Sequence, residues 1–501
     1  MKEKNLPPLV AALLEKEKRK QGKKNVNLLE THISWVIMAG DFAYKIKKPV
    51  TLPFVDYSTL EARRAFCEAE LVLNRRYAPE LYLGLEPIGG TPQDPSFGKT
   101  PAIEWAVKMR RFDEECRMDH VCARGELTPE MLSDLARTVA AFHAKASPAP
   151  PGSRFGEPFQ VLAPALGNFL ELRTLLPEEH PLLADLERWT KTEFENQRKH
   201  FTDRKASGRI RECHGDLHLG NIVLLHGRVT PFDCIEFNED LRWIDQASEL
   251  AFTYEDLLDH LRPGLANWLI SAWLAETGDF SALTVLPFYA VYRSLVRAKV
   301  AAIRGDAVEA HEYLAMAGRL SVRPQPTLTV TYGLSGSGKT TISSARLLED
   351  PSANTVRIRS DVERKRLFGL TSGETSGGII YTEDATEKTY SRLEELAETA
   401  LAGGWSVIVD AAFLLQSRRN RFRSLASRMN APFFILACEA PREELCRRLR
   451  ERRNDASEAT AAVLDEQMKW AEPLTEEERS LVISLEQSGG SCYRGRHESE
   501  A

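Results

Sequence analysis

One continuous stretch of this 501-residue chain limits its possible folds more than any other feature. An apolar run, residues 327–332, leads directly into Gly333-Leu-Ser-Gly-Ser-Gly-Lys-Thr-Thr341, which fits the pattern G-x-x-x-x-G-K-[ST]. Glycines in this pattern let the backbone curl so that its N–H groups face phosphates at the N-terminus of the following helix. The stretch therefore predicts a strand, a nucleotide-binding loop and a helix, in preference to a glycine-rich turn that binds nothing.

The polar residues of this loop have separate predicted tasks. Lys339 neutralises the charge of the β- and γ-phosphates, and the hydroxyl of Thr340 is a ligand for Mg²⁺. The full set of predicted nucleotide-binding residues is Gly333, Gly336, Ser337, Gly338, Lys339, Thr340 and Thr341.

Strand-like and helical patterns alternate along the chain after residue 326. They follow one another in the order 327–332, 340–348, 356–358, 387–401, 405–409 and 432–438. Such an order predicts a parallel sheet with helices on both faces, and in these sheets ligands bind beyond the carboxyl ends of the strands. Asp361 follows the second predicted strand and Asp410 ends the third. Asp410 is therefore the predicted second carboxylate on the Mg²⁺ side of the nucleotide.

An arginine-rich helical segment, 442–453, follows the last predicted strand. It is either a lid that brings positive charge to the transferred phosphoryl group or a solvated basic face. For any single arginine the solvated face is the favoured interpretation. The arginines concerned include Arg447, Arg448, Arg450 and Arg452.

A second constellation lies between residues 209 and 245. His214-x-Asp216 is followed by Asn221 with four residues between, which is the spacing of the protein-kinase catalytic loop. Asp233 comes twelve residues past Asn221, after two short strand-like runs, where a kinase places its second metal-binding aspartate. A carboxylate there takes the proton of the acceptor hydroxyl, while an amide oxygen and a second carboxylate hold Mg²⁺. His-Gly-Asp alone would favour a capped turn, but the three residues together favour catalysis.

The pattern changes midway through the first 322 residues. Alternating apolar residues around Gly40-Asp41 indicate a hairpin over 32–48, residues 59–76 have helical periodicity, and 103–109 indicates a further strand. Helical patterns dominate from residue 129. A small β-rich lobe followed by a mostly helical lobe is the predicted architecture.

The residues HGDLHLGN…FD resemble the aminoglycoside phosphotransferase family, whose fold is protein-kinase-like, and the resemblance covers about 30–320. It implies that Asp216 is the catalytic base and that Asn221 and Asp233 are ligands of Mg²⁺. The acceptor does not follow from the resemblance, because relatives with this fold phosphorylate antibiotics, choline and sugars.

The same resemblance implies a phosphate-gripping lysine on a strand of the small lobe, paired with a helix glutamate. Lys45 and Glu70 are the matching residues. Lys47 lies on the same face of the alternating strand and stays an alternative, as does a solvated edge formed by the lysines. The chain departs from kinases in one respect, since no G-x-G-x-x-G loop precedes the lysine and only Gly40 lies in the hairpin.

Residues of about 326–480 resemble the small P-loop kinases grouped with polynucleotide kinase, zeta toxin and gluconate kinase. In the polynucleotide-kinase branch, D-x-x-R after the second strand supplies a base for the acceptor hydroxyl and an arginine for phosphate. Asp361 and Arg364 match this short motif, so the resemblance implies these two roles for them. The tandem of the two parts itself resembles bacterial bifunctional proteins.

The sequence thus predicts a multidomain chain, with an α+β protein-kinase-like two-lobed domain followed by an α/β P-loop domain built on a parallel sheet. The predicted boundaries are 1–322 for the first domain and 326–485 for the second, with a disordered tail at 486–501. Within the first domain, the small lobe covers about 25–112 and the helical lobe about 113–322.

The predicted activity is phosphoryl transfer from ATP or GTP, with Mg²⁺, to a hydroxyl acceptor at each of two nucleotide sites. A small molecule is the favoured acceptor, and a nucleotide or nucleic-acid 5′-hydroxyl at the P-loop domain is less favoured because the net charge is −6. Eight cysteines without any C-x-x-C pair, and no long apolar run, favour a cytoplasmic protein without membrane partners. The alternative is a nucleotide-binding regulatory protein in which only the P-loop domain hydrolyses ATP.

Overall fold

The computed structural model describes residues 6–52, 55–371, 373–376, 380, 382–451 and 457–483. The predicted tail at 486–501 lies outside these residues. Up to residue 123 the elements are α1 (Pro8–Gln21), β1 (Val26–Glu30), β2 (Ser34–Ala39), β3 (Phe42–Lys47), β4 (Thr51–Leu52), β5 (Val55–Asp56), α2 (Leu60–Asn74), β6 (Tyr82–Thr91), β7 (Asp94–Phe97), β8 (Ala102–Arg110) and α3 (Met118–Ala123).

The middle of the chain is mostly helical, as the sequence predicted. Its elements are α4 (Pro129–Lys145), α5 (Pro158–Leu175), α6 (His180–Ala206), β9 (Ile210–Glu212), β10 (Ile222–Leu225), β11 (Arg228–Pro231), β12 (Trp243–Asp245), α7 (Gln246–Asp259), α8 (Pro263–Thr277), α9 (Ala282–Ile303) and α10 (Ala307–Ser321). Among the described residues, no helix is both long and apolar enough to cross a membrane.

Strands and helices alternate in the last part of the chain. The elements are β13 (Leu328–Tyr332), α11 (Lys339–Glu349), β14 (Thr355–Arg359), α12 (Ser360–Leu367), α13 (Glu383–Ala402), β15 (Ser406–Asp410), α14 (Gln416–Arg428), β16 (Phe433–Ala437), α15 (Arg442–Glu451), α16 (Ala461–Trp470) and α17 (Glu476–Arg479).

By packing, the chain divides into two compact units. One comprises the residues up to 127 with 141–155 and 210–245, and the other comprises 128–140, 156–209 and the chain from 246 onwards. This division follows contacts and not the order of motifs, and the domain boundaries predicted from the sequence stay predictions.

The first unit is built on a six-stranded sheet in the order β1-β2-β3-β8-β6-β7, whose strand pairs are antiparallel. The predicted hairpin is confirmed, because β2 pairs with β3 and Ala39 faces Phe42 across the turn at Gly40-Asp41. Tyr44 and Ile46 of β3 pack in a core with residues of α1, which the sequence reasoning did not predict. Side chains alternate along a strand, so Lys45 lies on the opposite face of the sheet.

The last part of the second unit contains a parallel sheet in the order β14-β15-β13-β16. Its strands match the four predicted apolar runs, and β13 lies in an interior position as the strand that leads into the phosphate-binding loop. Helix α9 packs against α7 and α10. The predicted fold class, a kinase-like part followed by a parallel-sheet P-loop part, is confirmed.

Candidate active sites

The first candidate site, here the kinase-like site, consists of Lys45, Glu70, Asp216, Asn221 and Asp233. Two loops supply its acidic side. One follows β9 and carries Asp216 and Asn221, and the other follows the β10–β11 hairpin and carries Asp233. The hairpin accounts for the twelve-residue spacing between Asn221 and Asp233, since its strands run out and back between them.

His214 links the two loops and is fully buried. Its Nδ1 accepts from the backbone N–H of Asp216 at 3.3 Å, so Nε2 must carry the ring proton and donate to the Phe232 carbonyl at 2.8 Å. A single neutral imidazole therefore holds the two loops together. The role of the motif histidine, His214, is therefore to position the two loops.

Asp216 and Asn221 are in direct contact. The Asn221 amide nitrogen donates to Asp216 Oδ2 at 3.0 Å and to the Asp216 carbonyl at 3.0 Å. This fixes the amide so that its oxygen is the atom available to a cation. His218, interpreted from sequence as loop packing, accepts from the Gly220 N–H through Nδ1 and places Nε2 3.5 Å from Asp216 Oδ2.

Lys45 and Lys47 project from the same face of β3, and both contact Glu70 of α2. Lys45 Nζ lies 2.9 Å from Glu70 Oε1, and Lys47 Nζ lies 2.7 Å from Glu70 Oε2. Lys45 also binds Asp233, whereas Lys47 binds Glu236. With side-chain exposures of 11% and 1%, the two lysines do not form a solvated edge.

Charges in this cluster shift the pKa of its members. Burial opposes the charged form of Glu70, but the two lysines outweigh it and lower the pKa of Glu70 to about 2. Burial likewise opposes the charge of Lys45, and Asp233 and Glu70 outweigh it and raise the pKa of Lys45 well above its ordinary value. Both groups are charged at neutral pH.

The sequence reasoning missed Tyr82 and Asn74, which hold the backbone around Asp233, and Glu236 of the same loop. Asp233 has a left-handed backbone (φ 64°), an unusual conformation for a residue with a side chain. Its N–H donates to the hydroxyl of the buried Tyr82 at 3.0 Å, and the next N–H, of Cys234, donates to Asn74 Oδ1 at 2.8 Å. Glu236 follows on the same loop and binds Lys47. The only sequence signal that points to Glu236 is its position three residues after Asp233.

The donor set of the kinase-like site fits a divalent cation. Carboxylate and amide oxygens are the ligands that Mg²⁺ prefers. Two lysines face three carboxylates, those of Glu70, Asp233 and Glu236. Asp216, on the loop after β9, adds a further carboxylate. The carboxylates therefore outnumber the lysines, and a bound cation would offset this excess.

The second candidate site, here the P-loop site, consists of residues 333–341 with Asp361, Arg364 and Asp410. Gly336 and Gly338 have φ of 84° and 92°, which side chains rarely allow. A Cβ at Gly336 would also lie 2.9 Å from the Leu445 carbonyl. Lys339 begins α11, and its Nζ donates to the carbonyls of Gly333 at 2.9 Å and Leu334 at 2.8 Å, which holds it across the loop.

Asp410 lies at the end of β15, beside the first turns of α11. Ser343 Oγ donates to Asp410 Oδ2 at 3.2 Å, and Arg359 Nε is 4.0 Å from the same oxygen. The carboxylate of Asp410 and the hydroxyl of Thr340 line one cavity. These are oxygen donors suited to Mg²⁺, as the sequence predicted.

The cavity at the P-loop site has a volume of about 950 Å³ and brings Lys339, Asp361, Arg364 and Asp410 together. Burial raises the pKa of Asp361, Arg359 partly offsets the shift, and the nearby charge of Asp410 adds to it. The guanidinium of Arg364 is buried and donates to the Ile380 carbonyl at 3.0 Å and to Thr386 Oγ1 at 3.1 Å.

Two further arginines line this cavity. Arg448 of α15 places NH1 3.5 Å from the Gly336 carbonyl while its Nε binds Glu444 at 2.6 Å. Arg447, by contrast, does not line this cavity and is paired with acidic neighbours of its own helix. Arg418, which the sequence reasoning missed, stacks over the ring of Tyr390 at 4.3 Å. Arg452 lies outside the described residues.

Comparison with known families concerns the two parts of the chain that carry these candidate sites. Residues 119–283 match the model of the phosphotransferase enzyme family, and residues 328–474 match a model described as an AAA domain. Uncharacterized proteins of Mycobacterium tuberculosis and Mycobacterium bovis are 29% identical over 449 residues, which is 87% of this chain and 88% of theirs. The similarity to these relatives therefore runs through both parts of the chain.

Solved structures similar to this chain each cover part of its length. A choline kinase from Cryptosporidium parvum is 9% identical with a TM-score of 0.39, over 60% of this chain and 93% of that one. A gluconokinase from Sinorhizobium meliloti is 20% identical with a TM-score of 0.24, over 33% of this chain and 86% of that one. The two family models confirm the predicted pair of parts, phosphotransferase-like and P-loop kinase-like, and the predicted enzyme class.

Proposed function

For a chain that combines a phosphotransferase-family segment with a P-loop kinase-like part, we propose two active sites. Each transfers the γ-phosphoryl group of ATP or GTP to a hydroxyl group of a small molecule. The observation that carries the proposal is that each site assembles a phosphate-directed lysine, oxygen donors for Mg²⁺ and a separate carboxylate for the acceptor proton. A purely regulatory role is not favoured, because such a role does not need this whole set.

In the kinase-like site, Asp216 accepts the proton of the acceptor hydroxyl as the oxygen attacks phosphorus. Asn221 and Asp233 would hold Mg²⁺, which neutralises phosphate charge as the bond to the leaving nucleotide breaks. Lys45, fixed by Glu70 at 2.9 Å, is the lysine placed to contact phosphate. Lys47 is bound between Glu70 and Glu236 on the buried side.

In the P-loop site, the backbone N–H groups of residues 333–341 and Lys339 bind the β- and γ-phosphates. Thr340 and Asp410 are the residues that would hold Mg²⁺. Asp361 takes the acceptor proton, a task that its raised pKa suits because a stronger base accepts a proton more readily. Arg364 stabilises charge on the transferred group from the same cavity wall.

We also propose that the protein works in the cytoplasm. None of the seven cysteines among the described residues is part of a disulfide, which fits a reducing compartment. The acceptors are small molecules, since the net charge of −6 does not favour a polyanion as the general substrate.

A phosphoryl-transfer screen on three proteins tests the proposal. Wild type, Asp216→Ala and Lys339→Ala are each assayed with sugars, amino alcohols, aminoglycosides and nucleosides in the presence of MgATP. We expect the accepted substrates to fall into two groups, one lost with Asp216→Ala and the other lost with Lys339→Ala.

Exposed residues of the same types provide the controls. Asp185→Ala and Lys388→Ala remove charges whose side chains are 69% and 63% exposed, and both groups of substrates should survive them. If every substrate withstands Asp216→Ala and is lost with Lys339→Ala, the kinase-like site is not catalytic. If neither variant matters, both assignments are wrong.

A further inference from the structure

Helix α8 is buried on nearly all sides, although it belongs to the segment that matches the phosphotransferase family. A helix that is apolar all round is covered on more than one side. It packs against α7 within its own segment and against α11 and β14 of the P-loop part. Its buried residues are Gly264, Ala266, Asn267, Leu269, Ile270, Ser271, Trp273 and Leu274.

Two polar side chains of α8 bind the edge strand of the parallel sheet. β14 is at the edge of that sheet, where the N–H groups on its outer side have no strand partner. The Thr355 N–H donates to Asn267 Oδ1 at 3.0 Å, and the Arg357 N–H donates to Ser271 Oγ at 3.1 Å.

The spacing of these bonds explains why a helix can serve here. Residues four apart on a helix rise about 6 Å, and residues two apart on a strand rise about 6.6 Å. Asn267 and Ser271 therefore match the two outward N–H groups of Thr355 and Arg357. Helix α8 takes the place of a neighbouring strand at this edge.

Both ends of α8 contact helices that form the P-loop site. Near its start, a Cβ on Gly264 would lie only 1.8 Å from the carbonyl of Leu348, in the last turn of α11. Near its end, the Ala275 carbonyl accepts from Arg366 at 2.5 Å, and Arg366 belongs to α12, the helix that carries Asp361 and Arg364. A cation at this end also suits the helix dipole.

Arg357 extends this contact to the nucleotide-binding loop. Its side chain donates to the Thr340 carbonyl at 3.2 Å and to Ser344 Oγ, and its guanidinium lies 5.4 Å from the centre of the Trp268 ring on α8. Arg357 therefore joins α8, through its backbone and its side chain, to the residue that would supply the hydroxyl for Mg²⁺.

We propose that α8 of the phosphotransferase-family segment is a positioning element of the P-loop site, acting through Ser271, Trp268 and Arg357. The inference rests on the function proposed for that site. None of the three residues lines the cavity of the P-loop site. They fix the edge of the sheet and the first turn of α11, so the P-loop site binds nucleotide tightly only when α8 is folded against this edge.

Equilibrium binding of MgADP to the full chain tests this. The P-loop site is defined as the MgADP binding that Lys339→Ala removes. Ser271→Ala deletes the acceptor of the Arg357 N–H, and Arg357→Met deletes the bonds to Thr340 and Ser344 but keeps a stem over Trp268. Each change is expected to weaken that binding roughly 5- to 30-fold, since a buried donor or acceptor loses its partner.

Matched variants separate positioning from general damage. Arg357→Lys, which keeps a donor and the charge, should recover part of the lost affinity. Ser424→Ala, an exposed serine of α14, should leave it within twofold of wild type. The second MgADP site should keep its affinity in every variant, and amide hydrogen exchange at Arg357 should accelerate in Ser271→Ala.

The possible outcomes are distinct. If Ser271→Ala and Arg357→Met both bind MgADP at the P-loop site within twofold of wild type, the positioning role is wrong. The same holds if the two variants weaken the second MgADP site as much as the P-loop site, because the loss then reflects general damage. If Lys339→Ala removes no MgADP binding, the proposed function of the P-loop site fails instead.

Discussion

The kinase-like site draws its charged groups from segments far apart in the chain, whereas nine consecutive residues form the loop of the P-loop site. Lys45 meets Asp233 across 188 positions, and Lys47 meets Glu236 across 189. Lys339, in contrast, is held by carbonyls five and six residues before it. The first arrangement depends on tertiary packing around a buried glutamate, and the second on local backbone geometry.

The two sites also treat their buried carboxylates in opposite ways. Glu70 lies between two lysines, which lower its pKa to about 2. Asp361 lies in a cavity wall where burial raises its pKa, which Arg359 only partly offsets. Glu70 must stay charged to hold the lysines, whereas Asp361 is the carboxylate proposed to accept a proton. Substitutions at these carboxylates, and at the lysines and arginine of the two sites, test this contrast.

Asp361→Asn should lower phosphoryl transfer at the P-loop site by about 10²- to 10⁴-fold, because the acceptor proton loses its base. In wild type, activity at this site should fall as the pH drops through a pKa above the ordinary aspartate value of 3.8. The stability of the protein, unlike its activity, should not decrease in this variant. The raised pKa means that folding favours the neutral form, so the uncharged asparagine should not destabilise the protein at neutral pH.

Rates against pH and thermal unfolding of the same samples measure both effects. Asp384→Asn, a change at an exposed aspartate of α13, is the control and should alter neither. An Asp361→Asn enzyme that keeps its rate, or a protein that unfolds several degrees lower, would contradict the assignment of Asp361 as a base.

Glu70→Gln should lower the free energy of unfolding at neutral pH by about 3 kcal/mol, the size typical of removing one partner from a buried ion pair. The folded-state pKa is depressed, so the stabilisation is complete above pH 4.5 and is lost as the pH falls toward 2. The difference between wild type and variant should therefore shrink in that window.

Urea unfolding at several pH values gives this difference directly. Glu68→Gln, on the same helix but half-exposed and paired with Arg64, should cost less than about 0.5 kcal/mol at every pH. A gap between wild type and Glu70→Gln that persists unchanged at pH 2 would show that the lysines do not depend on the charge of Glu70.

The difference between the two sites also explains which parts of the structure could be predicted from the sequence. The phosphate-binding loop is readable because nine adjacent residues carry the geometry, and the strand before it and the helix after it follow from local patterns. The spacing of Asp216, Asn221 and Asp233 is readable for a related reason, since one hairpin connects them. Family comparison supports both parts of the fold.

What could not be predicted depends on contacts between distant segments. Alternation places Lys45 and Lys47 on one face of β3, and no sequence pattern distinguishes them. Their separation by partner, Asp233 for one and Glu236 for the other, exists only in the folded chain. Arg418 is missed for the same reason, because Tyr390 and the cavity define its position.

Lys45→Met and Lys47→Met should divide activity from stability. We expect Lys45→Met to lower kcat/KM at the kinase-like site about 10²-fold, because the phosphate contact is lost. Lys47→Met should lower the Tm further than Lys45→Met does, since Lys47 is only 1% exposed and its loss leaves Glu236 buried without a cation. Steady-state kinetics and thermal unfolding of both variants show which lysine contacts phosphate and which one mainly stabilises the fold. Equal kinetic losses would mean that both contact phosphate.

Arg448→Ala is expected to have the smallest effect, about a fivefold lower kcat at the P-loop site, or ~1 kcal/mol. Arg448 NH1 lies 3.5 Å from the Gly336 carbonyl. From this position its positive charge can stabilise the negative charge that develops on the transferred phosphoryl group. Arg447→Ala is the matched control, because Arg447 binds the same Glu444 but pairs with Glu451 and does not line the cavity. A fivefold loss confined to Arg448→Ala, measured as kcat with KM unchanged, would extend the P-loop site beyond its local motif to α15. Equal effects of the two variants would mean that α15 is a solvated basic face. The P-loop site would then be confined to its local motif, which sharpens its contrast with the kinase-like site.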